Sequence, residues 1–289
     1  AGLRVIANSF GSARFEDCVI AQNTGGATAG TTGAWGGAFV LGGEFLRCRF
    51  IDNLGGHSTT IDDGFGGTIG GTGGLGGFSG HAVLSDCVFA GNVGGAGDLA
   101  SGAGGVDTGL FAPSGAPTAR FVNCTMVGNS SPPTSLLPWR NCIIRDNGAI
   151  GGPAGPTSYC NIEGGGSGVG DFDAPPSFRL SFPFDLRLLP GSAGIDMGDP
   201  TGADLGATDP DGEPRIFGGR VDVGADEYTG ALFGLAGASG TVGDATGSGG
   251  PFNVLFVNGS AGWSGRQIDV ALGAPLTFQV ALPLGITGP

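Results

Sequence analysis

The sequence predicts an all-β chain: a right-handed parallel β-helix followed by a small β-sandwich-like C-terminal unit. Three observations predict it. Five times a Cys is followed five residues later by an Asn, with similar residues between. The apolar residues around these copies recur with a period near two, the spacing of a strand. Gly supplies 64 of 289 residues without a Gly-X-Y period, which excludes collagen, while 40% hydrophobic content and 19 Phe are enough to fill a long, thin core.

The copies run Cys18 to Asn23, Cys48 to Asn53, Cys87 to Asn92, Cys124 to Asn129 and Cys142 to Asn147, and Phe15, Phe45, Leu84, Phe121 or Trp139 stands three residues before the Cys. Leu3 and Asn8 keep the same spacing and read as a further, cut-off copy. Cys160 reads as a weaker sixth member. Successive Cys are 30, 39, 37, 18 and 18 residues apart, so the bare unit is 18 residues, room for two or three short strands. Such strands cannot bury a face alone, so coils must stack about 4.8 Å apart, Cys over Cys and Asn over Asn. Asn suits the corner because it tolerates a left-handed backbone and its amide can bond the Asn of the next coil.

The three long spacings carry Gly-rich insertions at 24–37, 54–80 and 93–119, all between an Asn corner and the next coil. They should leave the rod on one side. Their composition reads either as a flexible fringe or as an ordered, Gly-packed layer.

Charge excludes some partners. The chain carries 25 acidic residues against 12 Arg and no Lys, a net −13, which is repelled by nucleic acid and anionic membranes. No stretch reaches the roughly 20 apolar residues that membrane insertion needs. Neither His57 nor His81 accompanies paired Cys, so the cysteines read as buried thiols or as disulfides between neighbouring coils, not as a zinc site.

Beyond Cys160 come Ile195-Asp-Met-Gly-Asp199, Asp209-Pro-Asp-Gly-Glu-Pro-Arg215 and Arg220-Val-Asp-Val-Gly-Ala-Asp-Glu-Tyr228. With the Cys-x4-Asn coils these resemble the secreted right-handed β-helix repeat proteins of bacteria whose helix closes with an IDxG, DxDGxxR and VDxGAxE segment (the choice-of-anchor type). The resemblance covers residues 1–228. It implies an extracellular or cell-surface location and carries no settled activity. Read from the residues, Asp209, Asp211 and Glu213 around Gly212 suit either a Ca²⁺ loop or a turn whose Asp bonds its own backbone. Arg215 or Arg220 would pair with Asp222 or Glu227 to hold a cap together. Residues 229–289 form the second unit, with strands in 252–257, 267–271 and 276–282 and a further strand expected after Leu282.

An enzyme on this scaffold would need converging carboxylates, or a base with Ca²⁺. Asp17, Asp52, Asp86 and Asp146 recur at equivalent repeat positions and read as an outward-facing ladder. Arg47 and Arg49 share a face. Asp62 and Asp63 are the best remaining pair. The sequence therefore points to a non-catalytic structural protein without cofactor beyond calcium, assembling end to end through its uncapped first coil and its incomplete last unit. The rival readings are a surface-polysaccharide adhesin, for which Trp35, Trp139 and Trp263 are too scattered to form a platform, and a polysaccharide lyase or glycoside hydrolase.

Overall fold

The computed structural model describes residues 3–6, 13–108, 119–179, 185–202 and 206–229, and the strands at 254–257, 260–261 and 278–281. These residues are all-β, and their stacked parallel sheets make a parallel β-helix. One sheet holds, in order, the strands Val19–Ala21, Arg49–Ile51, Val88–Ala90, Thr125–Val127, Ile143–Arg145 and Asn161–Ile162. The other runs through Leu3–Ile6, Ala38–Leu46, Phe78–Ser85, Arg120–Val122, Trp139–Arg140 and Thr157–Ser158. Ala38–Leu46 bends where Gly42 and Gly43 adopt φ of 91° and 132°, and the register shifts there. Its first half pairs with Leu3–Ile6 and its second with Arg14–Glu16.

The invariant spacing of five has a backbone cause. The residue before each Cys is left-handed, with φ of 50–55° at Asp17, Arg47, Asp86, Asn123, Asn141 and Tyr159. A three-residue strand follows the Cys, and a second left-handed residue (Gln22, Asp52, Gly91, Gly128 or Asp146) precedes the Asn. Two bends bracketing one short strand leave no freedom in length. The left-handed position is thus one residue ahead of the corner Asn, where a Gly, Asp or Asn meets the least steric cost. Leu3 pairs with Ala38, so Leu3–Ile6 opens the coil that carries Cys18; its reading as a further repeat copy fails on register. Asn8 lies outside the described residues.

Inside the rod the side chains stack in columns. Phe50 lies on Phe89 at 4.7 Å, Phe121 on Trp139 at 3.8 Å, and Phe78 meets four other Phe rings edge-on or tilted. Cys48, Cys87, Cys124, Cys142 and Cys160 line the same core as free thiols, with Cys18 half-buried at its edge. Burial holds Cys87 and Cys142 well above the ordinary thiol range.

The insertions, as far as Thr108, form a hydrogen-bonded layer, which overturns the flexible-fringe reading; 109–118 lie outside the described residues. All three leave at one corner, where Thr24, Leu54 and Val93 pair in parallel. Ser58–Asp62 pairs with Thr28–Ala29 and turns back onto Thr68–Gly70. Outgoing and returning segments are then zipped. Ala34 N–H donates to Gly26 O, Gly56 to Ala34 O, Gly74 to Gly56 O, Gly95 to Gly74 O and Gly102 to Gly95 O, at 2.7–3.3 Å. The backbones lie so close that a Cβ on Gly56, Gly74, Gly95 or Gly102 would stand 2.0–2.1 Å from a carbonyl oxygen of the coil before. Only glycine fits there.

By compactness the chain divides into one unit of 1–210 with 214–228, and a second of 211–213 with 229–289. In the second, Val254–Val257 is the centre of a three-stranded antiparallel sheet between Ser260–Ala261 and Phe278–Ala281. The expected strand at 267–271, and any second sheet of a sandwich, lie outside the described residues.

Candidate functional site

The chemistry-bearing residues that the fold gathers are those of the closing segment where it packs on the rod. Leu186, Leu188, Val223 and Ala225 cover the outward side chains Val88, Ala90, Val127 and Ile143 of the six-stranded sheet, with Phe178, Ile195 and Tyr228 at the margin. Two glycines permit the close approach. A Cβ on Gly224, where φ is 106°, would meet Ile143 Cδ1 at 2.7 Å and Thr125 Oγ1 at 2.8 Å; one on Gly198 would meet Asn141 Oδ1 of the rod at 3.2 Å and Val221 of its own segment at 2.5 Å.

Four charged residues of the closing motif, Arg215, Arg220, Asp222 and Glu227, serve backbone groups. Asp222 accepts from the amides of Asp196 and Tyr228 at 2.7 and 2.6 Å. Glu227 accepts from Phe217 and Asp222 at 2.8 and 2.9 Å. Arg215 donates to the carbonyls of Ala225 and Gly224, both at 3.0 Å, and Arg220 to those of Gly198 and Met197. The expected pairing of Arg215 or Arg220 with Asp222 or Glu227 is therefore replaced by hydrogen bonds to main chain. The carboxylate facing Arg215 belongs to the rod: Asp86 Oδ1 lies 3.3 Å from Arg215 Nε.

Asp86 stands in the corner column. Arg47 bonds Asp17 at 2.7 Å, Asn123 donates to Asp86 at 3.1 Å, and Asn141 to Asn123 at 3.0 Å. The outward-facing reading holds for exposed Asp17 and fails for Asp86, which the closing segment buries completely. Asp86, Asp222 and Glu227 are each at most 1% exposed. Burial raises their pKa values to about 7, about 6 and about 8.

At the second corner Asn23, Asn53, Asn92, Asn129 and Asn147 form one column. The side-chain oxygen of Asn92 accepts both the amide N–H and the Nδ2 of Asn53, at 3.1 and 2.9 Å, while Asn92 Nδ2 reaches Asn129 Oδ1 at 2.9 Å and Phe50 O at 2.8 Å. Asn129 repeats the pattern toward Asn147.

Asp62 and Asp63 cap the hairpin tip, accepting from Gly64 and from Phe65 and Gly67. The Phe65 and Gly67 amides hold Asp63 below the usual carboxylate range. Both act as turn residues. Arg47 occupies the bend, whereas Arg49 is on a strand. Of the three residues read as a Ca²⁺ loop, Asp209 is buried in the rod unit and accepts the Glu227 amide at 3.0 Å, whereas Asp211 and Glu213 group with the second unit, where Glu213 accepts from Thr229. Within the rod unit the carboxylate near Asp209 is Asp226, within 4.8 Å. The sequence reading missed it, along with the role of Asp86; only the topology brings either to its partner. Among the described residues no helix is long and apolar enough to cross a membrane.

No protein-family model, curated protein or solved structure matches this chain.

Proposed function

We propose that this protein is a non-catalytic structural rod of the cell exterior, of the choice-of-anchor β-helix type, that extends by stacking coil on coil with further copies of itself. One observation carries the reading. The recurring polar residues are consumed in holding coils together, whereas the coil of Phe15, Cys18 and Ile20 leaves those inward side chains only partly buried. Their counterparts in the next coil, Phe45, Cys48 and Phe50, are 0–1% exposed. A further coil laid on that edge would bury them and pair with Val19–Ala21, the last strand of its sheet among the described residues. Electron microscopy and sedimentation over a wide concentration range test assembly: filaments or concentration-dependent growth support it, and a monomer throughout overturns it. Turnover of pectin, alginate, chondroitin or xylan that disappears in Asp62→Asn or Asp63→Asn would overturn the non-catalytic part.

A polysaccharide-binding adhesin is the second reading. It draws on a shallow cleft lined by Arg120, Pro138, Arg140, Pro156, Thr157 and Ser158, and retention on an acidic polysaccharide lost in Arg140→Gln would favour it.

A further inference from the structure

The contact between the closing segment and the rod contains a buried ion pair poorly supplied with hydrogen bonds. The Asp86 and Arg215 side chains are 0% and 1% exposed, yet Asp86 Oδ2 and Arg215 Nε have no hydrogen-bond partner. A carboxylate so placed exchanges its hydration for one Asn and one misaligned guanidinium, and burying a charge with incomplete compensation is costly. The groups facing Asp86 are Asn123 and Cys124 of the following coil, Arg47 of the preceding one, and Arg215 and Asp209 of the closing segment. Two positive charges and one negative surround it, and desolvation still outweighs them.

Main-chain contacts of the closing segment lie close by. Gly224 N–H donates to Asn141 O at 2.7 Å and Ala225 N–H to Thr125 Oγ1 at 2.9 Å. These bonds must part if the segment lifts, along with the Asp199 N–H to Asn141 Oδ1 bond at 2.7 Å, the Arg140–Asp199 ion pair at 3.7 Å and the apolar strip of Leu186, Leu188 and Val223. Asp222 and Glu227 bond amides of the closing segment itself, so they can keep those partners when it does.

We propose that the closing segment is a proton-operated strap with Asp86 as its catch, docked firmly while Asp86 is protonated and loosened from the rod as Asp86 ionises. The sign follows from linkage. With a docked value of about 7 and about 3.9 once hydrated, the docked state holds a proton that the open state releases, so docking is strongest in acid and weakens as pH rises through 7. Between pH 5.5 and 8.5 this one group raises the opening equilibrium roughly thirtyfold.

Hydrogen exchange of the full chain tests it, with the Gly224 and Ala225 amides as reporters and Phe89 and Met126 as the check that the rod stays folded. After correction for the chemical exchange rate, opening should rise roughly thirtyfold over that range in the native protein and less than about threefold in Asp86→Asn. If Asp86→Asn disturbs the rod amides, Arg215→Gln decides: losing the cation should move the rise to higher pH. A flat native profile, an equal rise in Asp86→Asn, or an unmoved or lowered midpoint in Arg215→Gln would overturn the proposal.

Discussion

Replacing Gly56 by Ala separates a packed glycine layer from a flexible fringe by the sign of the result. A Cβ at Gly56 would sit 2.1 Å from Gly26 O and 2.9 Å from Ala34 N, both main-chain atoms that cannot swing aside. Relief requires the layers to part, weakening the bonds Gly56 N–H to Ala34 O at 2.7 Å and Gly74 N–H to Gly56 O at 2.8 Å. Overpacking costs about 1–3 kcal/mol and each weakened bond about 0.5–1.5 kcal/mol, against a gain of about 0.4–1 kcal/mol from a less flexible unfolded chain. The balance is a loss of about 3 kcal/mol, a fall in Tm of roughly 6–12 °C. Gly26 is the matched control. It occupies the same column one coil earlier, with nothing within 4 Å of its Cβ position, so Gly26→Ala should be neutral or stabilise by up to about 1 kcal/mol. Thermal unfolding of the two variants is the assay. If Gly56→Ala matches Gly26→Ala, the zipper does not hold the layer and the reasoning is wrong.

Asn92→Leu should cost about 3 kcal/mol in urea unfolding, because it strips buried Asn53 N–H and Phe50 O of partners; a loss below about 1 kcal/mol would mean the column is ornamental. Of the six thiols only Cys18 is partly exposed, so a thiol reagent should label one Cys in the native protein and the others only on unfolding. The raised values of Asp86, Asp222 and Glu227 mean that the folded chain holds protons the unfolded chain releases. Thermal stability should therefore fall as pH rises from about 4 to about 8, and a stability maximum at pH 8 would contradict their burial.

The coil is legible in the sequence because its constraint is local. Two left-handed bends around a three-residue strand dictate a spacing of five whatever lies between coils, so Cys and Asn repeat in plain view. The layer is less legible. Gly-rich composition is what a flexible linker and a close-packed backbone share, and the difference lies in carbonyls of a neighbouring coil, such as Gly26 O, 30 residues before Gly56. The closing motif reads in the sequence as the last coils and a cap, whereas it packs along the outward face of the six-stranded sheet and with other partners. Charges close in sequence invite pairing with each other, yet Arg215 turns to main-chain carbonyls and to Asp86, 129 positions earlier, because a buried guanidinium must satisfy several donors at once.

Ala34 would limit the assembly proposed above. In the returning column the Cβ direction points at the coil before: at Gly74 it meets Ala34 O at 2.1 Å, and at Gly102 it meets Gly74 O at 2.0 Å. Ala34 is the one residue of this column with a methyl group, which it carries at the exposed margin of the layer. That methyl stands where the carbonyl of another layered coil would have to lie. A coil stacking ahead of Phe15, Cys18 and Ile20 can still continue the Asn column and the aromatic core, but it cannot bring a glycine layer of its own into the zipper. The contact we propose between copies is therefore made by a bare coil of the 18-residue kind. Ala34→Gly should leave the fold intact and relax that restriction, and Ala34→Val should leave assembly unchanged. If Ala34→Val abolishes assembly while the rod stays folded, the bare-coil contact is wrong.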